Sequence, residues 1–173
     1  MDSEKPATLD TSLKALPTGP FSGRAAFEQL VRDALACAAH EGWREIILSD
    51  ATFLDWPLRE RAVLESLQNW SKSGRHITLL ATRFDEVSRH HARFVSWRQT
   101  WDHLIDCRVC HGAPVVDFPS VIWSPNWFMH RLDAQHSRGV CSTGREQNVL
   151  LKQMLDEALR ESSPGFPAST LGL

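Results

Sequence analysis

Two short runs constrain this chain most: Glu45-Ile46-Ile47-Leu48 and residues 76–81, His-Ile-Thr-Leu-Leu-Ala. A strand that is apolar at successive positions has no solvated side, so it needs a sheet covered by helices on both faces. The segments around these runs carry helical periodicity instead. Phe27, Leu30, Val31, Ala34 and Ala38 share one helical face, with Ser22 as the expected N-cap and Gly42 as the stop. A second helix is expected after Asp55, with Pro57 in its first turn. Its apolar face is Leu58, Ala62, Val63, Leu67 and Trp70, and Gly74 ends it. A third helix is expected over residues 85–103, where Val87, Phe94 and Trp101 recur every seven positions beside Val95 and Trp97. Residues 104–109 follow as a third strand.

Residues 119–133 and 136–142 read as antiparallel strands joined by tight turns. Thr143 and Glu146 have the spacing of a capping box. The helix they open carries Leu150, Leu151, Met154, Leu155, Ala158 and Leu159 as its stripe. The order is helix and strand three times, then a hairpin, then a helix. It predicts an α/β domain with a mixed, mostly parallel sheet, helices on both faces and right-handed crossovers. Residues 1–20 are expected to be a flexible lead-in, 21–161 a single α/β domain, and 162–173, with Pro164, Pro167 and Gly172, a flexible tail.

A chain of 173 residues can bury one real core, and 42% apolar with 23% charged residues is an ordinary globular balance. The formal net charge of -2 argues against a general nucleic-acid binder and gives no attraction to an anionic membrane surface. No apolar run approaches the ~18 residues of a membrane span. The first residues lack a basic stretch followed by an apolar one, so the expected compartment is the cytoplasm and Cys37, Cys107, Cys110 and Cys141 are expected as thiols. Seven Trp and eight Phe without any Tyr can fill a core or line a groove.

The sharpest motif is Cys107-Arg108-Val109-Cys110-His111. Its C-x-x-C-H spacing is that of covalent haem attachment, and the same residues leave a metal site open as an alternative. The expected compartment and the strand-like setting favour half-buried thiols, so no metal and no cofactor is expected. Residues 139–146, Gly-Val-Cys-Ser-Thr-Gly-Arg-Glu, have the glycine spacing of a phosphate loop. Arg145 and Glu146 stand where such a loop needs Lys and Ser/Thr. They read as a turn and helix start whose amides can hold an anion. Arg83, Arg89, Arg93 and Arg98, with His90, His91 and His103, crowd the third helix beside Asp85, Glu86 and Asp102. Arg89, Arg93 and Trp97 there, and Thr143, Gly144 and Arg145, are the expected ligand-binding residues. No catalytic residue is assigned. Asp50 and Asp55 flank a strand end, a favoured place for sites in α/β sheets. Convergence of Asp50, Asp55, Arg98, His130 and Asp133 would restore an active-site reading.

The order of elements, closing on Asn126-Trp127-Phe128-Met129-His130-Arg131-Leu132-Asp133, a hairpin and a capped helix, resembles one half of the phospholipase D superfamily. That family's signature is H-x-K-x-x-x-x-D followed by G-S-x-N. Aligned on Asp133, Asn126 stands at the His position and Phe128 at the Lys position. Val140-Cys141 replace the Gly-Ser pair and Thr143 the Asn. The family's chemistry needs the His as nucleophile and the Lys on the phosphate, so the resemblance implies the fold without the reaction. Residues 55–61 and 93–98 also resemble a group of bacterial proteins with no assigned activity. The expected function is a non-catalytic phospholipase D-like module that binds a protein or an anionic ligand. Hydrolase or transferase activity on phosphodiesters or acyl groups at another site, and metal or haem binding at Cys107, Cys110 and His111, are the alternatives.

Overall fold

Both apolar runs become central strands in the computed structural model, which describes residues 15–167. They are β2 (Glu45–Ser49) and β3 (His76–Ala81), paired in parallel with Leu48 opposite Leu79. β3 pairs in parallel with β4 (Ile105–Val109) on its other side. The connections are helical: α2 (Arg61–Ser71) between β2 and β3, then α3 (Asp85–His90) and α4 (Ala92–Thr100) between β3 and β4. β5 (Ser120–Trp123) joins the free edge of β2 in antiparallel sense. β6 (Phe128–Asp133), β7 (Arg138–Ser142) and β1 (Gly19–Ser22) extend that wing. β8 (Ser163–Pro164) closes the opposite edge against β4, giving the order β1-β7-β6-β5-β2-β3-β4-β8.

Strand alternation sends side chains to two cores. Ile46, Leu48, Ile77, Leu79, Ile105 and Met129 pack under α1 (Arg24–Glu41) and α2–α4, with Phe27, Leu67, Phe94 and Trp97 from the helices. Ile47, Val121, Trp123 and Phe128 on the other face meet Leu151 and Leu155 of α5 (Arg145–Arg160). The expected mixed α/β sheet with helices on both faces is therefore present.

The expected majority of parallel pairs is not. Among the described strands only β2–β3 and β3–β4 are parallel, and the other pairings are antiparallel. The helical crossovers do impose parallel pairing where they occur. The three-strand wing β5–β6–β7 and both edge strands add more antiparallel ladder than three crossover-linked strands can offset. The edge strands also shorten the expected tails. Gly19 and Pro20 lie in β1, and Pro17 accepts a hydrogen bond from Trp127 Nε1 at 2.9 Å. Ser163 and Pro164 pair with β4, and Phe166 stacks on Phe84 at 5.1 Å. Residues 1–14 and 168–173 lie outside the described residues.

α1 ends as expected, at Gly42 with φ 66 and ψ 52, a left-handed conformation that glycine adopts without a Cβ penalty. Its N-cap is Gly23 rather than Ser22, which is in β1. The second helix begins later than expected, at Arg61. The intervening loop sends Phe53, Trp56 and Leu58 into the core, so their apolar character serves burial and not a helical face. The third helix is broken at His91 (φ -125, ψ 54) into α3 and α4. His91 is buried, and its Nε2 lies 3.0 Å from the carbonyl of Phe53, a non-glycine residue with φ 57. The break turns a polar ring inward to satisfy that carbonyl.

This arrangement makes the fold acid-sensitive. His91 Nδ1 has no hydrogen-bond partner. Burial lowers the pKa of His91, Phe53 opposes that shift, and the neighbouring His90 and Arg59 add to it. Burial also lowers that of His130. Both rings resist protonation in the folded state, whereas the unfolded chain takes up protons near 6.5. Stability is therefore fully present above about pH 6.5 and is lost as the pH falls below it. Thermal melts should hold a constant midpoint from about pH 8 to 7 and drop steadily beneath 6.5, and His91→Gln should flatten that drop. A midpoint that rises on acidification contradicts the assignment.

Candidate functional site

A strand position that faces the core and holds an arginine needs anionic partners. Arg131 is such a position: it sits on β6 beside the core residue Met129, and its side chain is 1% exposed. Its Nε donates to Ser120 Oγ at 3.0 Å across the β5–β6 ladder. Nη1 donates to Asp55 Oδ2 at 2.5 Å, and Nη2 to Asp50 Oδ1 at 3.0 Å and Asp55 Oδ1 at 3.1 Å. The guanidinium carbon lies 4.0 Å from the centroid of the Phe27 ring. Burial pulls the Arg131 pKa down, but pairing with Asp55 and Asp50 outweighs it and raises the value. The second oxygen of Asp50 accepts the backbone N–H groups of Phe53 (2.8 Å) and Thr52 (3.2 Å). The cluster thus clamps the loop after β2 to the antiparallel wing. With every carboxylate engaged, it is built as a clamp.

The five residues whose convergence would mark an active site fall into three groups, Asp50 with Asp55, His130 with Asp133, and Arg98 by itself. Asp50 and Asp55 meet on Arg131. Arg98 is buried under α4, where it donates to Asp102 Oδ1 at 2.5 Å and to the Phe166 carbonyl at 3.3 Å. Asp133 accepts from the His136 backbone N–H and lies 2.8 Å from His136 Nδ1, which fixes the β6–β7 turn and lowers the Asp133 pKa. His130 adjoins Arg131 on β6 and lines a cleft near α5 together with Arg131 and Asp133.

The expected binding residues also divide. Arg93 and Trp97 line one open groove of about 530 Å³ between α2 and α4, together with Arg61, Leu64, Ser96 and Thr100. Trp97 is not the exposed platform that the spacing predicted. It is 4% exposed, and its Nε1 donates to Ser71 Oγ at 2.9 Å, so it serves as floor and not as lid. Arg93 is exposed, and its Nη1 reaches the Arg59 carbonyl at 3.4 Å. Arg89 is exposed on α3, and the break at His91 separates it from the helix that carries Arg93. Thr143, Gly144 and Arg145 are exposed at the start of α5, on the other face of the sheet. The expected Thr143–Glu146 capping box is absent, and Gly144 is the N-cap without a side-chain cap bond. Ser142 Oγ instead accepts the Gly144 N–H at 2.9 Å and donates to Gln147 Oε1 at 2.8 Å.

Cys107 and Cys110 point to opposite faces. Cys107 lies in the core under α1–α4, where burial pushes its thiol up to about 12. Cys110 Sγ donates to the Ala158 carbonyl of α5 at 3.4 Å, and His111 is exposed. The three side chains do not converge. Among the described residues no group of three or more His, Cys, Asp or Glu is placed to hold a metal ion.

The positions aligned with the phospholipase D signature spread along β6, with Asn126 and Phe128 at its start and Asp133 at its other end, beyond Arg131. Phe128 pairs with Ser142 across the β6–β7 ladder. It is 4% exposed and packed under α5, while Asn126 is exposed in the preceding turn. What reading the sequence missed was Arg131. The available signal was an arginine two residues from Met129, on the same face of an expected strand.

Comparison with known structures agrees on the fold. TrmBL2, an archaeal chromatin protein, superposes with a TM-score of 0.64 at 13% identity over 91% of this chain, and the chain spans 57% of the length of the TrmBL2 chain. Nuc from Salmonella typhimurium, a phospholipase D family member, superposes with a TM-score of 0.57 at 11% identity, covering 87% of this chain and 100% of Nuc. No sequence-family model matches the chain, and no curated protein sequence matches it. The topology is phospholipase D-like. Among the described residues no helix is long and apolar enough to cross a membrane.

Proposed function

We propose that this chain is a phospholipase D-like module that binds an anionic ligand, through a carboxylate or phosphate, in the groove between α2 and α4, and does not cleave phosphodiesters. The observation that carries the reading is Arg93. It stands exposed at the rim of a groove floored by Leu64 and Trp97, and its side chain makes no ion pair among the described residues. A guanidinium free to form two parallel hydrogen bonds, above an apolar floor, is a fitting receptor for a planar or tetrahedral anion. The Gln68 and Asn69 side-chain amides supply neutral N–H donors in the same groove, while the Ser96 and Thr100 hydroxyls donate to the Ala92 and Ser96 carbonyls. The catalytic half of the proposal rests on Asn126 and Phe128: neither can act as the nucleophilic histidine or the phosphate lysine. The structure of TrmBL2 is described as showing a novel mode of DNA binding. The net charge of -2 and the mixed charges of this groove, with Glu65 beside Arg61, favour a small or peptide anion here.

The test is calorimetric titration with two probes, inorganic pyrophosphate and a short glutamate-rich peptide. At least one should bind, with an affinity that weakens as salt is raised, because exposed charges are screened over about 8–10 Å. Arg93→Glu should weaken binding at least tenfold, roughly 1.4 kcal/mol or more. Its melting temperature should stay within a few degrees of wild type, as surface substitutions usually do. Binding that survives Arg93→Glu unchanged, or no binding of either probe, refutes the groove.

A further inference from the structure

The groove that holds Arg93 has two unlike ends. β2, β3 and β4 are parallel neighbours, so the helices that return across them, α2 and α4, run in the same sense. Contacts fix their register. Arg93, near the start of α4, donates to the Arg59 carbonyl just ahead of α2. Trp101, at the end of α4, donates from Nε1 to Gln68 Oε1 at 3.0 Å, well along α2. The groove therefore starts at Arg61 and Arg93 and runs to Gln68, Asn69 and Thr100. The helical rise between Arg93 and Thr100 makes that span about 10 Å.

The ends differ in charge. At the first, Arg93 makes no ion pair among the described residues, while Arg61 Nε is bound to Glu65 at 2.9 Å. The far end offers neutral donors. The Gln68 oxygen is held by the Trp101 indole, and the Asn69 oxygen accepts from Lys72 Nζ at 3.4 Å. With their oxygens engaged, both amides are left with N–H groups to offer, and among the described residues those groups have no acceptor. Leu64 and Trp97 form the apolar floor between the two ends. The Glu65 carboxylate, one turn along from Arg61, disfavours a doubly charged head or a second anion further in.

We infer that the groove takes an elongated molecule, about 10 Å long, with a single carboxylate at the Arg93 end, an apolar middle over Leu64 and Trp97, and a neutral carbonyl at the Gln68–Asn69 end. This rests on the anion-binding reading of the groove and adds the shape and polarity of the ligand. Gln68, held by Trp101, is accordingly a specificity-determining residue, because a ligand that lacks the carbonyl leaves its N–H groups unused.

The test is a chemical-shift titration of the ¹⁵N-labelled full chain with N-acetyl-6-aminohexanoate, which carries both groups on an alkyl chain. Heptanoate lacks the carbonyl, N-acetylglycine is too short to reach both ends, and heptanedioate carries a second carboxylate. N-acetyl-6-aminohexanoate should bind roughly threefold or more tighter than any of the three, the gain of one added hydrogen bond. It should also move the side-chain amide signals of Gln68 and Asn69. Arg93→Glu should weaken it and heptanoate together. Gln68→Glu keeps an acceptor for the Trp101 indole but loses the donor. It should erase the advantage of N-acetyl-6-aminohexanoate and leave heptanoate within about twofold, since a charge that far from the carboxylate is screened. Equal binding of N-acetyl-6-aminohexanoate and heptanoate with the Gln68 amide unmoved, or tighter binding of heptanedioate, overturns this inference and leaves the anion site at Arg93 standing. If no carboxylate binds, or Arg93→Glu changes nothing, the anion reading falls and this inference falls with it.

Discussion

Replacing Arg131 with methionine is expected to lower the melting temperature at pH 7 by roughly 6–20 °C. The arginine is the counter-charge of two carboxylates, Asp50 and Asp55, whose side chains are 7% and 22% exposed. Removing one partner of a buried ion pair costs about 3–5 kcal/mol, because the other partner stays buried without compensation. For a domain of this size each kcal/mol moves the midpoint by about 2–4 °C. Methionine keeps an unbranched stem in the same place and removes the guanidinium, with its contact on the Phe27 ring, so the loss reports chiefly the missing charge. The triple variant Asp50→Asn, Asp55→Asn, Arg131→Met should recover part of the loss, since it removes the stranded carboxylates together with their partner. If Arg131→Met melts like wild type, the clamp is not what holds the loop after β2.

The second large effect is expected at Leu79. It is fully buried in β3, between β2 and β4, and packs in the core beneath α1–α4. Leu79→Asp adds an unpaired charge costing several kcal/mol to the loss of leucine's own burial, against a total stability of about 5–15 kcal/mol. No soluble folded protein is expected from it. Leu79→Ala should fold, with a destabilisation of about 2–5 kcal/mol set by how far the cavity can collapse. Soluble Leu79→Asp with a cooperative melt would show that β3 is not central.

What the sequence made legible was local. The apolar runs around Ile47 and Leu79 could only be buried strands, and Gly42 marked a helix end by its freedom at positive φ. The sense of pairing of Val121 and Ile122 was not legible. Periodicity states that a strand is buried but not which edge it joins, and β5 joined β2 in the opposite sense to β3. The break at His91 was hidden because Val87 and Phe94 keep their spacing across it, and the cause, the Phe53 carbonyl, lies 38 residues away. Trp97 sat on the expected stripe, yet a stripe does not say whether it faces Ser71 or solvent. Arg131 was overlooked for a related reason. Asp50 and Asp55 were visible as a pair at a strand end, but the cation that joins them arrives from β6, 81 and 76 positions on.

The claim that this phospholipase D-like domain binds an anion without cleaving phosphodiesters is tested most directly by one spectroscopic measurement. ¹⁵N-labelled protein is titrated with a simple dialkyl phosphodiester, and amide and ³¹P spectra are followed over a day. The account predicts shifts confined to the α2–α4 groove around Arg61, Arg93 and Ser96, with the diester signal unchanged. Hydrolysis of the diester, or shifts centred on Asn126, Phe128 and Thr143 instead, would contradict it.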